Sequence, residues 1–157
     1  MLRGHRVIGI DLVRDDALSA DALSMIGESE AELAAIYPAD VRYAFSPDQL
    51  RMAGVAFLTA YRNRKPVGCG GVALLGAYGE LKRIFVTKTA RGTGVAEVIV
   101  AQLEDIARNA PHPIMRLETG EASPEAIRFY TRVGYQRRGP FGEYIENGSS
   151  VFMEKRL

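Results

Sequence analysis

A single cysteine, Cys69, is all the thiol chemistry the chain has, and one thiol excludes an intrachain disulfide. It lies in Val67-Gly68-Cys69-Gly70-Gly71-Val72, a strand-like run of small residues far in sequence from either histidine. The expectation is a buried, inert thiol, in keeping with a reducing compartment. Charge of one sign is also missing: the net charge is +1, which argues against a dedicated nucleic-acid binder. No apolar run approaches the ~18 residues of a membrane span. No apolar core of signal-peptide length follows residues 1–6. A soluble cytoplasmic protein with neither membrane nor nucleic-acid partner is expected. His5 and His112 have no neighbours at metal-ligand spacing, so both are expected at the surface and no metal site is expected.

What is present is ordinary for a globular protein: 47% apolar and 25% charged residues. At 157 residues, the chain 1–157 is one domain by size. It can bury about 70% of the surface its unfolded form exposes. Residues 7–13 read as a strand. Residues 17–37 have helical spacing, with Gly27 as a candidate division, and Tyr37-Pro38 ends the run. Ser46-Pro47 opens a short helix. Strands follow at 54–61, 67–75 and 80–86, the first two as a hairpin about the polar turn 63–66. Val95, Ile99, Leu103, Ile106 and Ala110 mark one face of an amphipathic helix. A strand at 114–119, a helix from Ser123-Pro124 that stops at Gly134, and a last strand at 150–155 complete the chain. Hairpins in the middle and helical crossovers on either side imply an α+β mixed sheet with helices on its faces.

The most informative stretch is Arg91-Gly92-Thr93-Gly94, where the strand ending at Val86 hands over to a helix. A helix N-terminus leaves N–H groups unpaired and carries partial positive charge. Glycines let a ligand approach the backbone, so the junction reads as an anion cradle. Lys82, Arg83, Lys88 and Arg91 add a cationic cluster, and phosphate is the anion they suit. A Walker loop needs Gly-Lys, which the chain lacks. A dinucleotide fingerprint needs a third glycine where Glu97 stands.

The remaining pattern, Arg91-x-x-Gly94-x-Ala96, resembles the Gln/Arg-x-x-Gly-x-Gly/Ala signature of the GNAT superfamily of acyl-CoA-dependent N-acyltransferases. Residues 80–86 resemble the strand before that loop. Ser123-Pro-Glu-Ala126-Ile127-Arg128-Phe129-Tyr130, then Gly134-Tyr135, resembles its next helix. Residues 117–120 and 140–144 look like a bacterial branch of small-molecule members. These features run in family order from Leu75 to Leu157. There are departures. Ser123 stands where many members have asparagine, Ala96 replaces the commoner glycine, and Val98-Ile99-Val100 is β-branched for a helix start.

The resemblance implies a mostly antiparallel central sheet of six to seven strands with about four flanking helices. Its two central strands splay, and pantetheine fills the gap. It implies acetyl-CoA as co-substrate and a small-molecule primary amine as acceptor, joined by direct attack in a ternary complex. Arg91, Gly92, Thr93, Gly94, Val95 and Ala96 would hold the diphosphate, with Ser123 a further contact. The backbone at Ile84, Phe85 and Val86 would receive the thioester oxygen and pantetheine amides. Such a reaction needs a base, an acid and a dipole. Glu80, eleven residues before Arg91, stands at the offset of a glutamate base in some members. Its rival reading is a surface pair with Lys82 or Arg83, and Glu118 and ordered water are alternative bases. Tyr130 matches the tyrosine facing the coenzyme sulfur, although by spacing alone it reads as core. Tyr37, Phe141 and Tyr144 are candidates for an acceptor pocket. Residues 11–32 hold seven carboxylates and one arginine, either an attraction for a cationic amine or a solvated helix face. Rival functions are a non-catalytic acyl-CoA-binding regulatory domain and a protein or peptide amine acetyltransferase. A homodimer through the C-terminal strands is compatible with the family.

Overall fold

The computed structural model describes residues 9–52 and 54–157. The first strand, β1 (Ile10–Asp15), runs two residues beyond its expected end at Val13, and the expected residues 7 and 8, like His5, lie outside the described residues. Helix α1 (Ala20–Ile36) is capped by Ser19, whose Oγ accepts from the Ala22 N–H at 3.1 Å. It runs unbroken through Gly27. That glycine is on the exposed face, so it forfeits helix propensity of about 1 kcal/mol but no core contact. The short α2 (Pro47–Leu50) carries a capping box made by Ser46 and Gln49.

Strands β2 (Val55–Arg62) and β3 (Lys65–Leu75) form the expected hairpin, but about a two-residue turn. Asn63 and Arg64 both take positive φ, +50° and +64°, the primed geometry that matches strand twist. β4 (Tyr78–Val86) pairs antiparallel with β3. Helix α3 (Val95–Asn109) then crosses over to β5 (Ile114–Gly120), so β4 and β5 are parallel. Helix α4 (Pro124–Arg132), the short β6 (Gln136–Arg138) and β7 (Ser150–Arg156) follow. The sheet order is β1-β2-β3-β4-β5-β7-β6, and every other neighbouring pair is antiparallel. Seven strands and four α-helices among the described residues agree with the expected architecture.

Each face of the sheet has its own core. Ile99, Leu103 and Ala107 of α3 pack on Val72, Leu81, Met115 and Leu117. Met25 and Ile26 of α1 pack with Leu50, Phe57, Cys69 and Phe85 on the other side. The α3 face departs from its expected set: Val100 and Ala107 are buried, while Ala110 lies past the helix end and is exposed. Glu104 is buried on that face too, held by the Tyr135 hydroxyl at 2.9 Å and Lys155 at 2.9 Å. Gly68 explains the small residues of β3, because a Cβ there would come within 2.9 Å of both the Phe85 carbonyl and Val95. Cys69 is buried as expected, and burial, aided by the charge of Asp15, pushes its thiol up to about 12.

The most consequential irregularity is in β4. Cys69 pairs with Phe85 but Gly71 pairs with Lys82, so the β4 side holds an extra residue. Arg83 occupies the bulge with φ +56°, a left-handed conformation rare outside glycine. Side chains normally alternate across a strand. Here Lys82 and Arg83 both reach Phe45, on the α1 and α2 side of the sheet.

Candidate active site

Strands β4 and β5 pair only through Gly79–Met115 and Glu80–Arg116. Past that seam they part, and a cavity of about 520 Å³ opens between residues 81–86 and 117–120. One end is made of backbone. Gly92 and Gly94 have φ of +77° and +91°, which the turn requires, and a Cβ on either would meet nothing within 4 Å. Gly94 is the N-cap of α3, and no side chain caps that helix. The first-turn N–H groups therefore have an open approach beside the cavity. Arg91 stands over them: its Nε donates to the Val86 carbonyl at 2.9 Å, and its Nη2 reaches both Glu32 oxygens at 2.8 and 2.9 Å. Thr93 donates to the Ala90 carbonyl at 2.5 Å and accepts from Arg62 at 2.9 Å. Arg62, at the end of the β2–β3 hairpin, was missed in the sequence. It lies 29 residues before Arg91 (91 − 62) in no motif, and only the sheet brings it to the loop.

The expected cationic cluster divides. Lys88 and Arg91 remain near the loop. Lys82 and Arg83 are carried to the far end by the bulge, and are not part of the cradle. Ser123 and Tyr37 meet, hydroxyl to hydroxyl, at 2.9 Å, which joins the end of α1 to the start of α4. A methyl on Gly120 would overlap the Tyr37 ring, so this crossing needs a glycine below it. Tyr130 lines the cavity from α4, stacked near Phe129 and Tyr135. Its burial pushes the phenol well above its ordinary value.

The other end is made of side chains. Glu80 is buried and paired with Lys82 at 2.7 Å, and the Tyr144 hydroxyl donates to the same carboxylate at 2.6 Å. Lys82 also donates to the Tyr144 oxygen at 2.8 Å. The expected pairing of Glu80 with Lys82 thus exists, but in the interior. Glu118, on the same face of β5, is pushed up to about 7. Burial is the main cause, the Ser150 hydroxyl and the Lys82 charge oppose it, and the charge of Glu80 adds to it. Tyr37 and Tyr144 wall the cavity. Phe141 does not; it is buried behind Tyr144, edge-on at 5.1 Å, and braced by Tyr78 and Phe152. Tyr43 completes the wall against Tyr144. Asp11, Asp16 and Glu28 are exposed, so part of the acidic run 11–32 is the solvated face that was one of its two expected readings. Asp15 accepts from Ser19 and Thr59, Asp21 from Tyr61, and Glu30 and Glu32 bind Arg83 and Arg91.

With this geometry in place, comparison with known proteins is informative. The sequence model of the Acetyltransferase (GNAT) family matches residues 22–135. An IAA acetyltransferase of Azospirillum brasilense is 36% identical over 150 residues, covering 94% of this chain and 98% of the relative. A crystal structure from Klebsiella pneumoniae, assigned as an acyl-CoA N-acyltransferase, superposes with a TM-score of 0.79 at 30% identity, over 94% of this chain and 97% of the other. The PaiA N-acetyltransferase of Thermoplasma acidophilum, crystallised with coenzyme A, shares the fold at 18% identity, with a TM-score of 0.72 over 94% of this chain and 99% of that one.

Proposed function

The chain belongs to the GNAT family of acetyltransferases, and from that premise we propose that it transfers an acetyl group from acetyl-CoA to the primary amine of a small molecule by direct attack in a ternary complex. The observation that carries this reading is one cavity with two unlike ends: uncapped helix amides at one, ionisable side chains at the other, and an unpaired strand edge between them.

The cradle fits the coenzyme. The space before Gly92 and Gly94 is open, and the α3 amides and Arg91 suit a diphosphate. Arg91, Gly92, Thr93, Gly94, Val95 and Ala96 would hold that group, with Arg62 bracing the loop. The β4 backbone at Ile84, Phe85 and Val86 would pair with pantetheine amides as an absent strand would. Bound acetyl-CoA supplies the acetyl group as a thioester, an activated acyl donor.

The chain's own residues supply the proton handling. An alkylammonium, with a pKa of about 10, must lose a proton before it can attack. Of the two carboxylates, Glu118 is the better base. It is held near 7, so at neutral pH a good share of it is ionised and that share is still basic. Glu80, the base the resemblance implies, has its charge taken up by Lys82 and Tyr144 and serves to fix Tyr144 beside the acceptor. Tyr130 stays protonated at working pH and is the donor for the departing sulfur.

Initial rates of thiol release over a grid of acetyl-CoA and amine concentrations test the reading. Intersecting double-reciprocal lines are expected. Parallel lines would rule out direct attack. Coenzyme uptake with no transfer to any amine would make this a regulatory binding domain, and transfer to peptides alone would move the acceptor class.

A further inference from the structure

At the side-chain end of the cavity two guanidiniums do not have a carboxylate each. Arg42, Lys82 and Arg83 line it. Their partners are two carboxylates. Glu80 serves Lys82, and Glu30 alone serves both guanidiniums: it is bonded to Arg83, and its other oxygen is 3.8 Å from Arg42. Glu118, at the same end, makes no ion pair with any of the three, so the charges balance in number while two guanidiniums share one carboxylate. The hydrogen bonds show the same deficit. Three buried side-chain polar atoms have no partner among the described residues, and two of them, Arg42 Nε and Arg83 Nη1, belong to this end. The Arg83 side chain is only 3% exposed. Its Nε donates to the Phe45 carbonyl at 2.8 Å and its Nη2 to Glu30, so one arm of the fork is left over. A buried donor with no acceptor has given up its hydration with nothing in return, which is unfavourable. Arg83 is also in a left-handed backbone conformation, a strain that collects at ligand sites.

We infer that the acceptor is a small amino acid whose carboxylate sits on Arg42 and Arg83 and whose amine faces Glu118. Its carboxylate gives the second guanidinium a partner of its own, and its ammonium gives Glu118 one. A planar carboxylate suits the spare guanidinium N–H groups better than any neutral group does. Size points the same way. The 520 Å³ must admit the pantetheine end of the coenzyme as well as the acceptor, which leaves room for a compact molecule. Charge at both ends of that molecule also accounts for carboxylates and guanidiniums together in one apolar-walled chamber of Tyr37, Tyr43 and Tyr144.

This inference rests on the acetyltransferase reading, so its test reads binding as well as turnover. The proteinogenic L-amino acids, and for each the amine that lacks the carboxylate, are titrated singly by calorimetry into the protein saturated with coenzyme A. Thiol release from acetyl-CoA is measured on the same pairs. At least one amino acid should bind about tenfold or more tighter than its decarboxylated partner, with the same preference in kcat/KM. Arg42→Met should erase that preference mainly through KM, with Tm within a few degrees of the parent. Arg42→Lys should restore part of it, since it keeps the charge and loses the fork. The inference is overturned if no amino acid binds, if decarboxylated amines bind as well, or if Arg42→Met leaves the preference intact. Should amines be acetylated without regard to a carboxylate, the inference fails while the acetyltransferase reading stands. Should amino acids bind with that preference while no amine is ever acetylated, the acetyltransferase reading fails, and the acceptor role with it, while the carboxylate site on Arg42 and Arg83 stands.

Discussion

The two ends of the cavity are built from different materials. One end is backbone: two glycines at positive φ and the open first turn of α3, with Arg91 beside them. The other end is side chain: Glu80, Lys82, Glu118 and Tyr144, which come from β4, β5 and the loop before β7. Amides at a helix start carry a fixed partial charge, so the first end keeps its electrostatic character at any pH. Carboxylates and phenols change charge with their surroundings, so the second end discriminates and titrates.

That contrast can be broken in order of expected effect. Glu118→Gln should lower kcat by about 10²–10⁴, the range for losing a general base, while acetyl-CoA binding by calorimetry stays within a factor of a few. Glu80→Gln should cost less; if the two effects are reversed, Glu80 is the base. In the parent, kcat/KM should rise as pH passes upward through about 7 and then level, because the protonated Glu118 cannot accept the amine proton. Gly94→Val works on the other end. A β-branched residue at φ +91° is strained by roughly 1–3 kcal/mol, so the KM for acetyl-CoA should rise about tenfold to a hundredfold with the pH profile unmoved. Tyr130→Phe should lower kcat about tenfold and leave that KM nearly unchanged, as rates at saturating amine will show. The smallest effect is on stability. Glu118 has a folded pKa of about 7 against an ordinary 4.5, so the folded state holds its proton more tightly. Its contribution is favourable at low pH and is lost as pH rises through 7. Glu118→Gln should therefore raise Tm at pH 8 by a few degrees, and by less at pH 5, in thermal melts at both pH values.

The same contrast explains what could be read from the sequence. Gly92 and Gly94 are legible because a backbone site needs particular residues at consecutive positions, and the loop carries its own context. The element order was legible for a similar reason, since helix and strand periods are local. Lys82 and Arg83 were misplaced because nearness to the loop in sequence is not nearness in space, and no local residue announces the bulge that carries both to the α1 and α2 side. Phe141 was misplaced because an aromatic behind another aromatic has the same sequence signature as one in front. Arg42, Arg62 and Tyr43 went unseen because none of them lies in a motif. Only sheet register and the packing of the turn after α1 bring them to the cavity.

The two-pair seam between β4 and β5 has a mechanical consequence. The sheet is in effect a pair of leaves, β1 to β4 and β5 to β7, stitched at one short stretch and free to gape beyond it. Whatever lodges in the gape acts as a splint. Deuterium uptake at amides of 81–86 and 117–120 should slow when the splint is in place, and the outer β1–β2 ladder should not register it.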